Sequence, residues 1–130
     1  MPAFGPASAA RLATCDERLQ RVFNKVAETW NCTVIEGHRG EAAQHLAFVT
    51  HKSQLDWPNG NHNSKPSKAC DVAPYPINWS DTHGFVLFAF FVLGVAAGMG
   101  IKLRWGGDWN TDFNIRDNKF NDLVHFEVLD

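Results

Sequence analysis

Two of the chain's six histidines, His62 and His125, lie where they could converge with a carboxylate on one metal ion. His62 sits in a long polar stretch, and Asp71 follows nine residues later, where a short apolar run begins. His125 falls in the last apolar segment of the chain. Zinc accepts imidazole nitrogen and carboxylate oxygen, and a hydrolytic zinc site keeps its fourth position open for water. Two nitrogens and one oxygen from separate segments match that donor set. The spacing alone is equally compatible with a surface histidine and a turn aspartate, because such pairs are common by chance. His45, His51 and His83 fall on or beside probable helices and read as ordinary solvated side chains.

Asp122 precedes His125 by three residues in Asp122-Leu123-Val124-His125-Phe126-Glu127. A carboxylate beside a metal ligand can take a proton from water and later hand it to a leaving amine. Glu127 shares a strand face with His125 and could orient that ligand, or could be a solvated strand carboxylate. Arg39, in Glu36-Gly37-His38-Arg39-Gly40, could hold a substrate carboxylate or a developing oxyanion, or could be a plain surface arginine. Trp105, Asp108 and Trp109 flank paired glycines in Arg104-Trp105-Gly106-Gly107-Asp108-Trp109. Glycines let backbone approach a ligand and tryptophans offer flat walls, so these three residues are candidates for substrate contact. A turn whose aromatics pack into the core fits the same residues.

Several elements must hold these groups in place. Leu12, Leu19, Val22, Phe23, Val26 and Trp30 recur at helical spacing and predict a helix over 8–30, with Ser8 as its cap. Strands are expected at 32–35, 70–73, 101–105 and 123–129, the last without clean alternation, and helices at 41–50 and from a cap at Asp81 to about 98. Two long polar loops, 53–68 and 106–121, remain. A loop of that length in so short a chain is usually functional. Mixed helices and strands without regular alternation predict an α+β fold: one small domain over 1–130, with a short antiparallel sheet packed against helices and the metal site at the sheet. No internal repeat and no separate wall-binding domain is expected.

Composition narrows the function classes. The 130 residues are 45% hydrophobic, enough for a core without staples. Twelve Lys+Arg balance fourteen Asp+Glu, with the signs interspersed, which argues against electrostatic nucleic-acid binding. Cys15, Cys32 and Cys70 are odd in number and form no CxxC, so reduced thiols are expected and not a disulfide framework. Cys70 should point away from Asp71 on its strand and is not taken as a ligand. The first residues lack the pattern of a signal peptide. The apolar run 85–100 is shorter than the roughly 20 residues of a membrane span and is read as a buried helix.

The run from Gly60-Asn61-His62-Asn63 through Pro66-Ser67 and Ala69-Cys70-Asp71 to Pro74-Tyr75-Pro76 resembles the first metal motif of the LAS-type zinc peptidases. That family includes D-alanyl-D-alanine carboxypeptidases, D-alanyl-D-alanine dipeptidases and phage endolysins that cut L-alanyl-D-glutamate bonds. Glu36-Gly37-His38-Arg39 upstream, and Leu103 to Trp109 and Asp122 to Glu127 downstream, are similar to the short phage branch in the same order. Gly60 and Cys70 depart from residues common in that branch, and neither departure removes a ligand. The resemblance implies zinc held by His62, Asp71 and His125, Asp122 as catalytic base and acid, and Arg39 as a substrate or oxyanion contact. It implies an enzyme acting on peptidoglycan stem peptides, most readily at L-alanyl-D-glutamate, and kept in the host cytoplasm until its release to the wall; a monomer is expected. A D-alanyl-D-alanine carboxypeptidase and a non-catalytic wall-binding domain are the alternatives.

Overall fold

The computed structural model describes residues 4–114 and 121–130. Residues 115–120, within the second expected loop, lie outside that range. The helical spacing over 8–30 is realised as two helices, α1 (Pro6–Leu12) and α2 (Glu17–Ala27), and not as one. Tertiary pairing breaks the run. The Ser67 N–H donates to the Thr14 carbonyl at 2.9 Å, and the Asp16 N–H donates to the Ser67 carbonyl at 2.8 Å. Asp16 then caps α2, its carboxylate accepting the Arg18 backbone N–H at 2.8 Å. Ser8 is not a cap. It is buried within α1, and its hydroxyl accepts the Val34 N–H at 3.1 Å, which ties α1 to the first strand.

The remaining elements fall near their expected places: β1 (Cys32–Glu36), α3 (Glu41–Val49), β2 (Ala69–Pro74), α4 (Thr82–Gly98), β3 (Leu103–Gly106) and β4 (Asp122–Val128). Asp81 caps α4 as expected, accepting the Gly84 N–H at 3.0 Å. The four strands form one antiparallel sheet in the order β1-β2-β4-β3. The α+β class and the sheet-on-helix arrangement are therefore as read from the sequence.

Helices α2 and α4 cover one face of the sheet. Phe126 of β4 anchors this core, meeting Phe23 of α2 at 5.4 Å and Phe88 of α4 at 6.3 Å between ring centroids, both edge-on. Each such fully buried side chain contributes roughly 1.5–3 kcal/mol. Cys70 and Val72 of β2 point into the same core, so Cys70 faces away from Asp71. Helix α4 buries Phe85, Phe88, Ala89, Val92 and Ala96 and leaves Leu87 exposed. Among the described residues no helix is long and apolar enough to cross a membrane.

The opposite face of the sheet is polar and also covered. Phe126 and Val128 of β4 turn to the core, whereas His125 and Glu127 are buried among polar groups on the other side. From Val124 to Val128 apolar and polar residues therefore alternate, and the adjacent pair Leu123-Val124 is what breaks the pattern at the start of β4.

Candidate active site

The register of β2 and β4 creates the site. Asp71 stands directly opposite His125 in the antiparallel ladder, and opposed residues project to the same face. His62 comes from a single 3-10 turn, Asn61–Asn63, in the first polar loop. That turn is tied down when its His62 carbonyl accepts the Arg39 N–H at 2.8 Å. The His62 Nε2, Asp71 Oδ1 and His125 Nδ1 atoms thus meet, with separations of 3.1, 3.3 and 3.4 Å. All three side chains are buried.

This donor triangle fits zinc. With zinc–ligand bonds of about 2.0–2.2 Å, tetrahedral ligands lie roughly 3.3–3.5 Å apart. The imidazoles are also set in the right tautomers. The Nδ1–H of His62 donates to the Gly37 carbonyl at 2.8 Å, which leaves Nε2 as the lone-pair donor. The Nε2–H of His125 donates to Glu127 at 2.7 Å, which leaves Nδ1. Gly37 must be glycine here, because an added Cβ would collide with the Arg11 carbonyl and the Thr14 hydroxyl. Three donors of this type would leave a fourth position of a bound zinc for water.

Charges in this cluster shift one another. Burial raises the pKa of Asp71, but His62 and His125 outweigh it and hold the carboxyl well below the usual range. Burial works against a charged His125, yet Asp71 and Glu127 push it up to about 9. Burial likewise raises Glu127, and His125 with Arg104 brings it down to about 2. Asp122 is raised, first by burial and then by the charge of Asp71, against the opposing pull of His125, His62 and Arg39.

Asp122 stands at the mouth of this centre, its Oδ2 3.9 Å from His125 Nδ1. A register shift in the β3–β4 ladder puts Gly106 opposite Asp122. A Cβ on Gly106 would overlap the Asp122 carbonyl, so glycine at this position lets the acid reach its place. A groove of about 290 Å3 opens over the cluster and is lined by Asp122, His62, His125, Glu127, Arg39 and Trp109 among others.

Arg39 lies on the groove wall but is heavily engaged. Its Nε and one terminal nitrogen bind Glu36, the other donates to Gln44 at 2.9 Å, and it stands 3.8 Å from Asp71 Oδ2. It therefore holds the second oxygen of Asp71 in a positive field. Glu127 is 3% exposed, so it is no solvated carboxylate. It carries His125 on one oxygen and Arg104 on the other, at 2.6 and 3.1 Å. The Arg104 guanidinium lies 5.9 Å from the centre of the Trp109 ring, and that ring lies 5.3 Å from His125.

The three residues of the 104–109 segment part company. Trp109 lines the groove. Trp105 does not: it is 1% exposed, packs edge-on against Phe90 and donates its indole N–H to the Leu123 carbonyl at 2.9 Å. Its strand position, two residues from Leu103, turns it to the helical side. Asp108 is also buried away from the groove, where its carboxylate accepts the backbone N–H groups of Asp112 and Phe113 at 3.2 and 2.8 Å. It shapes the turn that follows Trp109.

Gln44 was not singled out from the sequence. It is 1% exposed, accepts from Arg39 and Asn63, and donates to Ser53 and to the Leu55 carbonyl. It joins α3, the turn that carries His62 and the first loop in one network. No local pattern marks it, because its burial arises only when residues 53–55 fold back over α3.

Replacing Glu127 with Gln removes the charge that holds both His125 and Arg104. Metal affinity is expected to fall about 10- to 100-fold, the usual effect of losing a partner of a ligating imidazole. Competition with a chromogenic chelator measures it, and an unchanged affinity would show that packing alone orients His125.

A family model described as phage L-alanyl-D-glutamate peptidase matches residues 2–129. The chain is 35% identical over 123 residues to the L-alanyl-D-glutamate peptidase of Escherichia phage T5, covering 88% of this chain and 86% of that protein. The crystal structure of the Serratia marcescens L-Ala D-Glu endopeptidase ChiX superposes with a TM-score of 0.76 at 25% identity, covering 97% of this chain and 89% of that one.

Proposed function

The chain belongs to the phage L-alanyl-D-glutamate peptidase family, and from that premise we propose that it hydrolyses the L-alanyl-D-glutamate bond of peptidoglycan stem peptides, with zinc held by His62, Asp71 and His125. A preformed three-donor centre that shares one groove with the half-buried carboxylate of Asp122 carries this reading. Zinc bound there supplies a Lewis acid and brings the pKa of water toward neutrality. Asp122 is placed to accept the proton of the attacking water and to return it to the amine of the departing D-glutamate. Arg39 keeps the Asp71 side of the centre positive as charge develops on the substrate carbonyl oxygen. Glu127 and Arg104 fix the imidazole of His125, and Trp109 offers a flat wall along which an extended peptide can lie.

Digestion of purified peptidoglycan by zinc-loaded protein, followed by mass spectrometry of the released peptides, tests the proposal. New N-terminal glutamate or isoglutamine is expected. Loss of terminal alanine alone would make the protein a carboxypeptidase, and no cleavage would favour a wall-binding domain.

A further inference from the structure

Three cations line the groove among the described residues: Arg39, Lys52 and Arg104. Two of them are committed. Arg39 spends its guanidinium on Glu36 and Gln44, and Arg104 places two nitrogens on one oxygen of Glu127. Lys52 differs. It follows the C-terminal end of α3, where its backbone N–H donates to the Ala47 carbonyl at 2.8 Å, and its side chain is exposed at the groove. Among the described residues no carboxylate lies within ion-pair range of its ammonium. The groove carboxylates Asp122 and Glu127 sit with the metal donors and His125. Among the described residues Lys52 is the groove cation that no protein carboxylate already neutralises, so an anionic substrate group is drawn toward it.

The substrate class supplies such an anion. A stem peptide runs on through the side-chain carboxyl of D-glutamate, so the α-carboxyl of that residue is either free or amidated. When free, it is a carboxylate three bonds from the carbonyl carbon under attack. With the reacting amide beside Asp122, that carboxylate falls within the same small cavity. The long, flexible stem of a lysine lets its ammonium meet a carboxylate without a fixed fork geometry.

Resting on the peptidase reading above, we propose that Lys52 recognises the free α-carboxylate of the substrate's D-glutamate and so makes the enzyme selective for stems that carry it over amidated ones. The other groove cations hold protein carboxylates and keep the centre in shape. Among the described residues, Lys52 is the groove cation left to read the substrate.

The test measures kcat/KM for two synthetic stem peptides that differ only in an α-carboxylate or α-carboxamide on D-glutamate. Wild-type protein should prefer the carboxylate by about tenfold, the scale of a partly desolvated charge-assisted contact. Lys52→Met should bring the ratio near unity by losing rate on the carboxylate peptide only, Lys52→Arg should retain most of the preference, and Lys52→Glu should reverse it. An unchanged rate on the amidated peptide doubles as proof that the variants fold. A wild type without preference, a Lys52→Met ratio equal to wild type, or equal losses on both peptides would overturn the role of Lys52 while leaving the peptidase assignment standing. Failure of the wild type to cleave either peptide would overturn the peptidase assignment itself, and the Lys52 role with it.

Discussion

Asp122→Asn is expected to lower kcat about 10²- to 10⁴-fold without loss of zinc, the range for removal of a positioned general acid–base group. The substitution keeps the shape of the side chain and removes only its capacity to take a proton. The backbone that places it, packed against Gly106 across a register shift, is unchanged. The Oδ2 of Asp122 stands 3.9 Å from His125 Nδ1, close to the candidate metal donors yet outside their triangle of 3.1–3.4 Å separations. Two readouts separate the possible roles. Metal content near one per chain with turnover lost assigns proton transfer to Asp122. Loss of metal together with turnover would make Asp122 a fourth ligand, and turnover within a few-fold of wild type would remove it from the mechanism.

Stripping the metal is expected to have the second large effect, on stability as well as activity. A ligand that binds only the folded chain stabilises it by roughly 4 kcal/mol when present at a thousand times its Kd. For a chain of this size that corresponds to a Tm lower by on the order of 10 °C after chelation. Asp71→Asn should erase that zinc-dependent difference. Structural zinc sites with four ligands gain roughly 10–16 kcal/mol, or about 3 kcal/mol per ligand, so losing one weakens binding by about 10²-fold or more. The side chain of Asp71 is buried between two imidazoles with Arg39 beyond it, so the metal-free variant also loses the charge that balances them. Thermal unfolding with zinc and with chelator, on wild type and variant, checks this. Identical Tm values for wild-type protein in both conditions, with activity retained under chelation, would exclude the zinc centre.

The sequence by itself determined which side chains could serve as metal donors. His62, Asp71 and His125 could be named because their residue types and the motifs around them are chemical, local and ordered along the chain. The strand and helix positions were legible for the same reason: apolar spacing and the Asp81 cap are local signals. Cys70 could be set aside as a ligand because side chains alternate along a strand, and it lies in the core.

Tertiary structure decided what local spacing does not encode. The helical run over 8–30 breaks at Thr14–Asp16 because that segment pairs with Ser67, more than fifty residues away. Trp105 and Trp109 carry the same chemistry in one short segment, but only Trp109 reaches the groove, because strand direction turns Trp105 to the core. Arg39, Arg104 and Lys52 are alike as cations in the sequence. Their different work follows from which carboxylates the fold brings to them: Glu36 for the first, Glu127 for the second, and none among the described residues for the third. A side chain's type fixes what chemistry it can do. Its partners across the sheet and the loops fix which part of that chemistry remains free for substrate.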